Sequence, residues 1–222
     1  MVSPLRPLPD VVTITDPFFK GCENSCKIIM ELPAIQSEPH SLDIMAEAAA
    51  RFQQLHYVHS EVLALQEKAL SSLVIAKGLA AMGSSDQNRS TLDQFKNDTE
   101  TSGNLCVLYA EMFYVVAFRV VDITRVMNAK LFGTKRIISE PAGVRNARNL
   151  LILHPEQVKH GAVLSRVSTL RWADEAGIRL KELRSPHESR EFQDPGFGPN
   201  CLEFREFWLN WSEHVYVKLT EA

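Results

Sequence analysis

Apolar residues along this chain recur mostly at steps of three and four, the spacing of one face of an α-helix. Between Leu42 and Met82 there is no proline and a single glycine, Gly78. Leu55, Val58, Val62, Leu65, Ala69, Leu73, Ala76 and Ala80 form one stripe there. The pattern predicts a long first helix with Ser41 as N-cap, a break or kink near His59-Ser60, and Gly83 as its stop. The polar run Ser84–Asn104 reads as a loop with one short helix at Thr91–Asn97. A second long helix is expected over Leu105–Phe132, ended by Gly133. Its apolar residues lie nearly all round, which predicts a central, buried position. Ser139 and Pro141 open a third helix, Ala142–Leu153, which His154-Pro155 ends because the residue before proline avoids the α region.

The two ends of the chain read differently. Residues 1–40 carry Pro4, Pro7, Pro9, Pro17, Pro33 and Pro39. They are expected to form an irregular, extended N-terminal arm, with Val11–Thr15 as a short edge strand. Between Gly161 and Leu183 the helical spacing fails. A small β-hairpin is expected there, with its turn at Ala173–Gly177. Ser185–Asn200, with Pro186, Pro195 and Pro199, reads as a loop. A last amphipathic helix carries Phe204, Phe207, Trp208, Trp211, Val215 and Leu219. Its aromatic stripe suits core packing, and it is also a candidate face for a protein partner. The expected fold is mainly α: a helical bundle with two long core helices, the irregular arm and the hairpin appendage. The segments are the arm at 1–40, the bundle core at 41–155, the hairpin and loop at 156–200 and the C-terminal helix at 201–222, within one domain overall.

Composition narrows this picture. The chain has 222 residues, 45% of them hydrophobic, with only 10 glycines. Glycine is too sparse for a sandwich or barrel, which needs a turn every 8–12 residues. A net charge of −3 excludes a protein that coats nucleic acid broadly, since such proteins show a basic surplus. It leaves room for a local patch, best placed at Lys130, Lys135, Arg136, Arg145 and Arg148. Met1–Asp10 has no apolar signal region, so a cytoplasmic protein is expected. The most apolar run, Leu105–Val121, is short for a membrane span and carries Glu111 and Arg119, so no membrane association is expected.

Candidate chemistry is sparse. Cys22 and Cys26 are three residues apart, not two, and no second Cys or His pair stands near, so free thiols are the expectation. Cys106 reads as a small core residue. His56 and His59 lie at i, i+3, and a metal site would need Glu61, Glu111 or Asp122 to join them. No metal or other cofactor is expected. There is no glycine-rich phosphate loop and no local signature of a Ser-His-Asp or Cys-His set.

One short motif stands out: Arg148-Asn149, four further residues, then His154. An Arg, then four to six residues, then His is expected about once by chance in such a chain, and Arg51…His56 is a second match. Requiring Asn, Asp or His directly after the Arg lowers the chance number to roughly 0.15. The motif resembles the signature of HEPN-domain proteins. By architecture the resemblance covers about residues 42–155, and by motif seven residues. It implies a bundle of four or more helices and, in many members, a metal-independent RNA endonuclease of the toxin or defence kind. Other members have lost catalysis and serve as binding or scaffold domains. It also implies a homodimer in which two motifs commonly meet. The residues after His154, Pro155-Glu156-Gln157, depart from the aromatic or glycine common in the family.

The chemistry suits the residue types. Positions 148 and 154 of an unbroken helix lie about 120° apart, but His154 leaves the helix before Pro155 and can turn back. Arg148 would hold phosphate oxygens and stabilise transition-state charge. His154, titrating near neutral pH, would serve as general base or acid on a ribose 2′-hydroxyl and the leaving oxygen. Asn149 would orient the imidazole or a phosphate. Arg145, three residues before Arg148, would extend the anion site. The competing reading makes His154 a packed residue at a helix C-terminus, with both arginines solvated or ion-paired. A second functional class is a non-enzymatic interaction module that uses the Phe/Trp stripe of the last helix.

Overall fold

The computed structural model describes residues 18–82, 86–135, 137–151, 166–172, 178–184 and 196–221. Among them the chain is mainly helical, consistent with a helical bundle. In order, the elements are α1 (Lys20–Met30), α2 (Pro33–Gln36), α3 (Pro39–Ala81), α4 (Asp86–Phe132), α5 (Ala142–Leu151), β1 (Arg166–Trp172), β2 (Ile178–Arg184) and α6 (Phe197–Thr220). The chain divides into two compact units. One comprises Met1–Tyr57, Val116–Val144 and Cys201–Ala222, and the other Val58–Val115 and Arg145–Asn200.

The first unit corrects the expectation of an extended arm. The described part of residues 1–40 folds into α1 and α2, and Phe19, Cys22, Cys26, Ile29 and Ile35 are fully buried. The sequence signal was weak because Cys22, Ser25 and Cys26 supply much of the buried face of α1, where Leu or Val would have been conspicuous. The two prolines among the described residues of this segment mark helix starts rather than extended chain. Pro33 opens α2 and Pro39 opens α3, positions where the missing N–H and fixed φ suit the first turn. The expected strand at Val11–Thr15 lies outside the described residues.

The start of α3 is capped one turn earlier than expected. Ser41 is not the cap. The Glu38 carboxylate accepts the Ser41 backbone N–H at 3.1 Å and the Ser41 hydroxyl as well. Glu38 is also paired with Lys130 at 2.6 Å, and these two partners hold its carboxyl below the usual range.

The core of this unit is aromatic. Phe52 lies 4.7 Å from Trp208 between ring centroids, and Trp208 lies 4.8 Å from Trp211. Phe19, Phe52 and Phe204 complete the cluster at about 6 Å spacings. The indole N–H groups and the Ser25 hydroxyl carried into this core are satisfied. Trp208 Nε1 donates to Ser25 Oγ at 2.8 Å, and Ser25 Oγ donates to the Cys22 carbonyl at 2.8 Å. Ser212 Oγ lies 3.1 Å from Ser25 Oγ, so that hydroxyl fills its one donor and two acceptor roles. Trp211 Nε1 donates to Asn128 Oδ1 at 2.8 Å. Burial pushes the Cys22 thiol up to about 12 and the Cys26 thiol higher still.

The second unit is held by smaller residues. Val58, Val62, Ala69 and Ala76 of α3 are buried, as the stripe predicts, and Cys106, Ala110, Phe113 and Tyr114 of α4 are buried with them. Cys106 Sγ donates to the Val62 carbonyl at 3.4 Å. Phe197 packs edge-on against Phe113 at 5.1 Å, and Asn200 Nδ2 donates to the Tyr114 hydroxyl at 2.8 Å. Strands β1 and β2 pair antiparallel, from Arg166 opposite Arg184 to Trp172 opposite Ile178.

Several boundaries differ from expectation. α3 runs without a break through His59-Ser60. The loop expected at Ser84–Asn104 is helix from Asp86 onward. No proline interrupts residues 86–132, and extending a formed helix costs far less than nucleating one, so the polar run joins it. α6 begins at Phe197 rather than after Asn200, with Pro199 tolerated in its first turn. Gly133 does end α4: it adopts φ +67, the left-handed conformation open to glycine, and donates to the Ala129 carbonyl.

The all-round burial expected of α4 is also corrected. In the second unit one face is buried, while Leu105, Leu108, Met112 and Val115 are 42%, 50%, 45% and 45% exposed.

Candidate functional site

Helix α5 carries the first part of the motif, and its start is built by a residue that sequence reasoning missed. The Glu203 carboxylate accepts the backbone N–H of Ala142 at 2.8 Å and of Gly143 at 3.0 Å. It therefore satisfies two of the unpaired donors at the helix start, the role expected of Ser139. A cap from a residue sixty positions away has no local sequence signal. Val144 and Ala147 are each 1% exposed and fix which face packs inward. Arg145 lies between them in sequence and is exposed.

Arg148 and Asn149 fall in the last turn of α5. His154 lies outside the described residues, as do Ile152, Leu153 and Pro155. The helix end expected at Leu153 is described only to Leu151. The described structure thus places the backbone of Arg148 and Asn149 and the side chain of Arg145.

The competing match, Arg51…His56, has a different setting. Arg51 is paired with Glu47 at 2.5 Å and with Gln54 at 3.0 Å, on the surface of α3. That is ordinary helix-surface pairing.

Of the expected basic patch, Lys130 and Lys135 are exposed, and Arg136 lies outside the described residues. Arg125, which sequence reasoning did not single out, stands beside them. It is paired with Asp122 and with Glu140, each at 2.7 Å, and its guanidinium lies 5.7 Å from the Phe118 ring centre. Burial opposes its charge, but the two carboxylates outweigh burial and raise its pKa.

The other candidates are not brought together. Among the described residues no three of His, Cys, Asp or Glu gather as a metal site. His59 is 7% exposed and stacks on Phe197, and Asp122 is engaged by Arg125. All four cysteines are free and buried. The aromatic stripe of the last helix is not a partner face. Phe204, Trp208 and Trp211 are fully buried, and Phe207 is nearly so. Large aromatic side chains at helical spacing bury the most apolar area against the core, and they do so here. Among the described residues no helix is long and apolar enough to cross a membrane.

Comparison of the chain with protein-family models, with curated proteins and with solved structures finds no match.

Proposed function

We propose that this chain is a HEPN-like RNA endonuclease of the toxin or defence kind, cytoplasmic, working as a homodimer and without metal. His154 would take the proton of a ribose 2′-hydroxyl. The 2′-oxygen would then attack the adjacent phosphorus, and the bond to the 5′-oxygen would break as that oxygen gains a proton. Arg148 would hold the non-bridging oxygens as their charge rises, Asn149 would orient the imidazole or phosphate, and Arg145 would extend the anion site. The products are a 2′,3′-cyclic phosphate and a 5′-hydroxyl. The observation that carries the reading is the residue order Arg148-Asn149-x4-His154 in a mainly helical chain, with Arg148 and Asn149 on α5. The exposure of Arg145 on that helix adds to it. In the same reading the β1–β2 pair is an appendage of the bundle rather than part of its core.

The test is incubation of purified protein with mixed RNA in EDTA. Wild type cleaves, and Arg148→Ala and His154→Ala each lose at least about 100-fold. Equal cleavage by the variants, or none by wild type, overturns the proposal.

The homodimer is supported by α4. Its exposed Leu105, Leu108, Met112 and Val115 step by three, four and three, the spacing of a coiled-coil seam. The stripe is symmetric about Ala110. In an antiparallel pair with a two-fold axis there, Leu105 meets Val115 of the second copy and Leu108 meets its Met112, a self-complementary arrangement. Sedimentation of wild type is expected to show a dimer, and Leu108→Glu with Met112→Glu a helical monomer. A monomeric wild type, or an unchanged dimer in the double variant, contradicts this. The same exposed stripe favours the second reading, a non-catalytic interaction module, which would pair in the same way and leave RNA intact.

A further inference from the structure

The exposed apolar stripe of α4 ends in charge on both sides. Steps of four and three from Leu105 toward the start of the helix reach Thr101 and Asp98, and a step of four beyond Val115 reaches Arg119. Thr101 and Arg119 are exposed, and Asp98 is half-buried. We propose that a second copy of this chain docks antiparallel along α4 with its direction set by these charges, Arg119 of each copy pairing with Asp98 of the other. The inference rests on the homodimer reading above and names what orients it.

The apolar stripe alone does not choose a direction. A parallel pair would set Leu105, Leu108, Met112 and Val115 each against its own copy, and an antiparallel pair covers the same four residues. The ends do choose. In a parallel pair Arg119 meets Arg119 and Asp98 meets Asp98, and like charges across a helix seam are unfavourable. In the antiparallel pair Arg119 comes level with Thr101 of the second copy, since both lie nine residues from Ala110. Asp98 stands on the same face of that copy, about 4.5 Å further along the axis, within reach of an arginine side chain. The two-fold axis makes this contact twice.

Both charges are uncommitted within their own chain. Among the described residues neither Arg119 nor Asp98 makes an ion pair. The next residue on the stripe, Asp122, comes level with Asp98 of the second copy, but Arg125 already pairs with it at 2.7 Å and compensates its charge. Glu111 works the other way. It sits beside the seam one residue before Met112, so the two-fold axis near Ala110 sets it against its own copy, a like-charge contact. A parallel pair would set it near Val116 instead, so its charge also reports direction.

The test is sedimentation equilibrium of the full chain, with circular dichroism to check that each variant stays helical. Arg119→Glu and Asp98→Lys should each weaken the dimer at least about tenfold, because each turns two attractions into two repulsions of surface ion-pair size. The two substitutions together should return the dissociation constant to within about threefold of wild type, and Glu111→Gln should tighten it by about threefold. Direction is read separately by oxidation, since the native cysteines are buried. Leu105→Cys chains mixed with Val115→Cys chains should form a mixed disulfide. Leu105→Cys alone should not, because its two copies lie about 15 Å apart along the helices, beyond disulfide reach. Leu105→Cys crosslinking to itself, single charge variants that dimerise like wild type, or a combined variant no tighter than the singles overturns the proposal. The two readings fail separately. A monomeric wild type removes the homodimer and this pairing with it, whereas a wild-type dimer indifferent to Arg119 and Asp98 removes only the charge-set direction.

Discussion

The half of the protein around α6 and the half spanning Val58–Val115 treat their apolar residues in opposite ways. In the first, Trp208 and Trp211 are fully buried, and every indole N–H has a partner. In the second, α4 buries Cys106, Ala110 and Phe113 on one face and leaves four large apolar residues about half exposed on the other. From sequence the capacity for partners seemed to lie in the Trp-rich helix, and α4 seemed destined for the centre. The structure buries the Trp-rich stripe, in keeping with its core-packing reading, and leaves one face of α4 about half exposed. A stripe of large side chains does not by itself mark an interface. Apolar area left over after a helix has packed is the better sign, and among the described residues it occurs on α4 and also on α3, at Leu63, Val74 and Ile75.

The sharpest way to break this comparison is to truncate one residue from each half. Trp208→Ala should cost about 3–5 kcal/mol in urea denaturation, because it empties the centre of the aromatic cluster. Met112→Ala in the monomer should stay within about 0.5 kcal/mol. Similar costs for both would remove the distinction.

A smaller effect is expected where the two α5 amides are held. Glu203→Ala should cost about 0.5–2 kcal/mol and speed hydrogen exchange at Val144 and Ala147 before global unfolding. Unchanged exchange there would mean that the carboxylate does not cap the helix.

The smallest effect concerns charge on α1. Burial raises the Glu23 carboxyl, but hydrogen bonds from Lys27 and Lys20 outweigh it, so its folded pKa lies below 4.5. A depressed carboxylate stabilises the fold above its unfolded pKa, and that contribution is lost as pH falls from about 4.5 toward the folded value. A pair whose lysines are largely exposed to solvent contributes about 0.5 kcal/mol, so Glu23→Gln should lower Tm by about 1–2 °C at pH 7 and converge with wild type near pH 3. A constant offset at both pH values would show that the pairing is not the cause.

Much of the helical architecture was legible because its signals are local. The apolar stripe of α3 and the glycine stop at Gly133 depend on residues within a few turns. What escaped was set at a distance. α1 buries a face rich in Cys and Ser, and only the Phe52–Trp208 cluster opposite makes that burial worthwhile. The cap on α5 comes from Glu203, and the helical state of residues 86–104 is imposed by the apolar segment that follows them. For the candidate site, sequence located the exposed Arg145 beside a buried Val144 but not Arg125, whose setting depends on Glu140 and on the turn after Gly133. The placement of His154 falls outside the described residues, so the motif rests on residue order and chemistry.

The most direct measurement of the central claim is the chemistry of the cut ends. An RNA oligonucleotide and its fully 2′-deoxy counterpart are incubated with wild type in EDTA, and the fragments are weighed by mass spectrometry. The proposed roles of His154 and Arg148 require 2′,3′-cyclic phosphate and 5′-hydroxyl ends from RNA and no cleavage of the deoxy strand. Cleavage of both strands, or 5′-phosphate ends, would contradict the account.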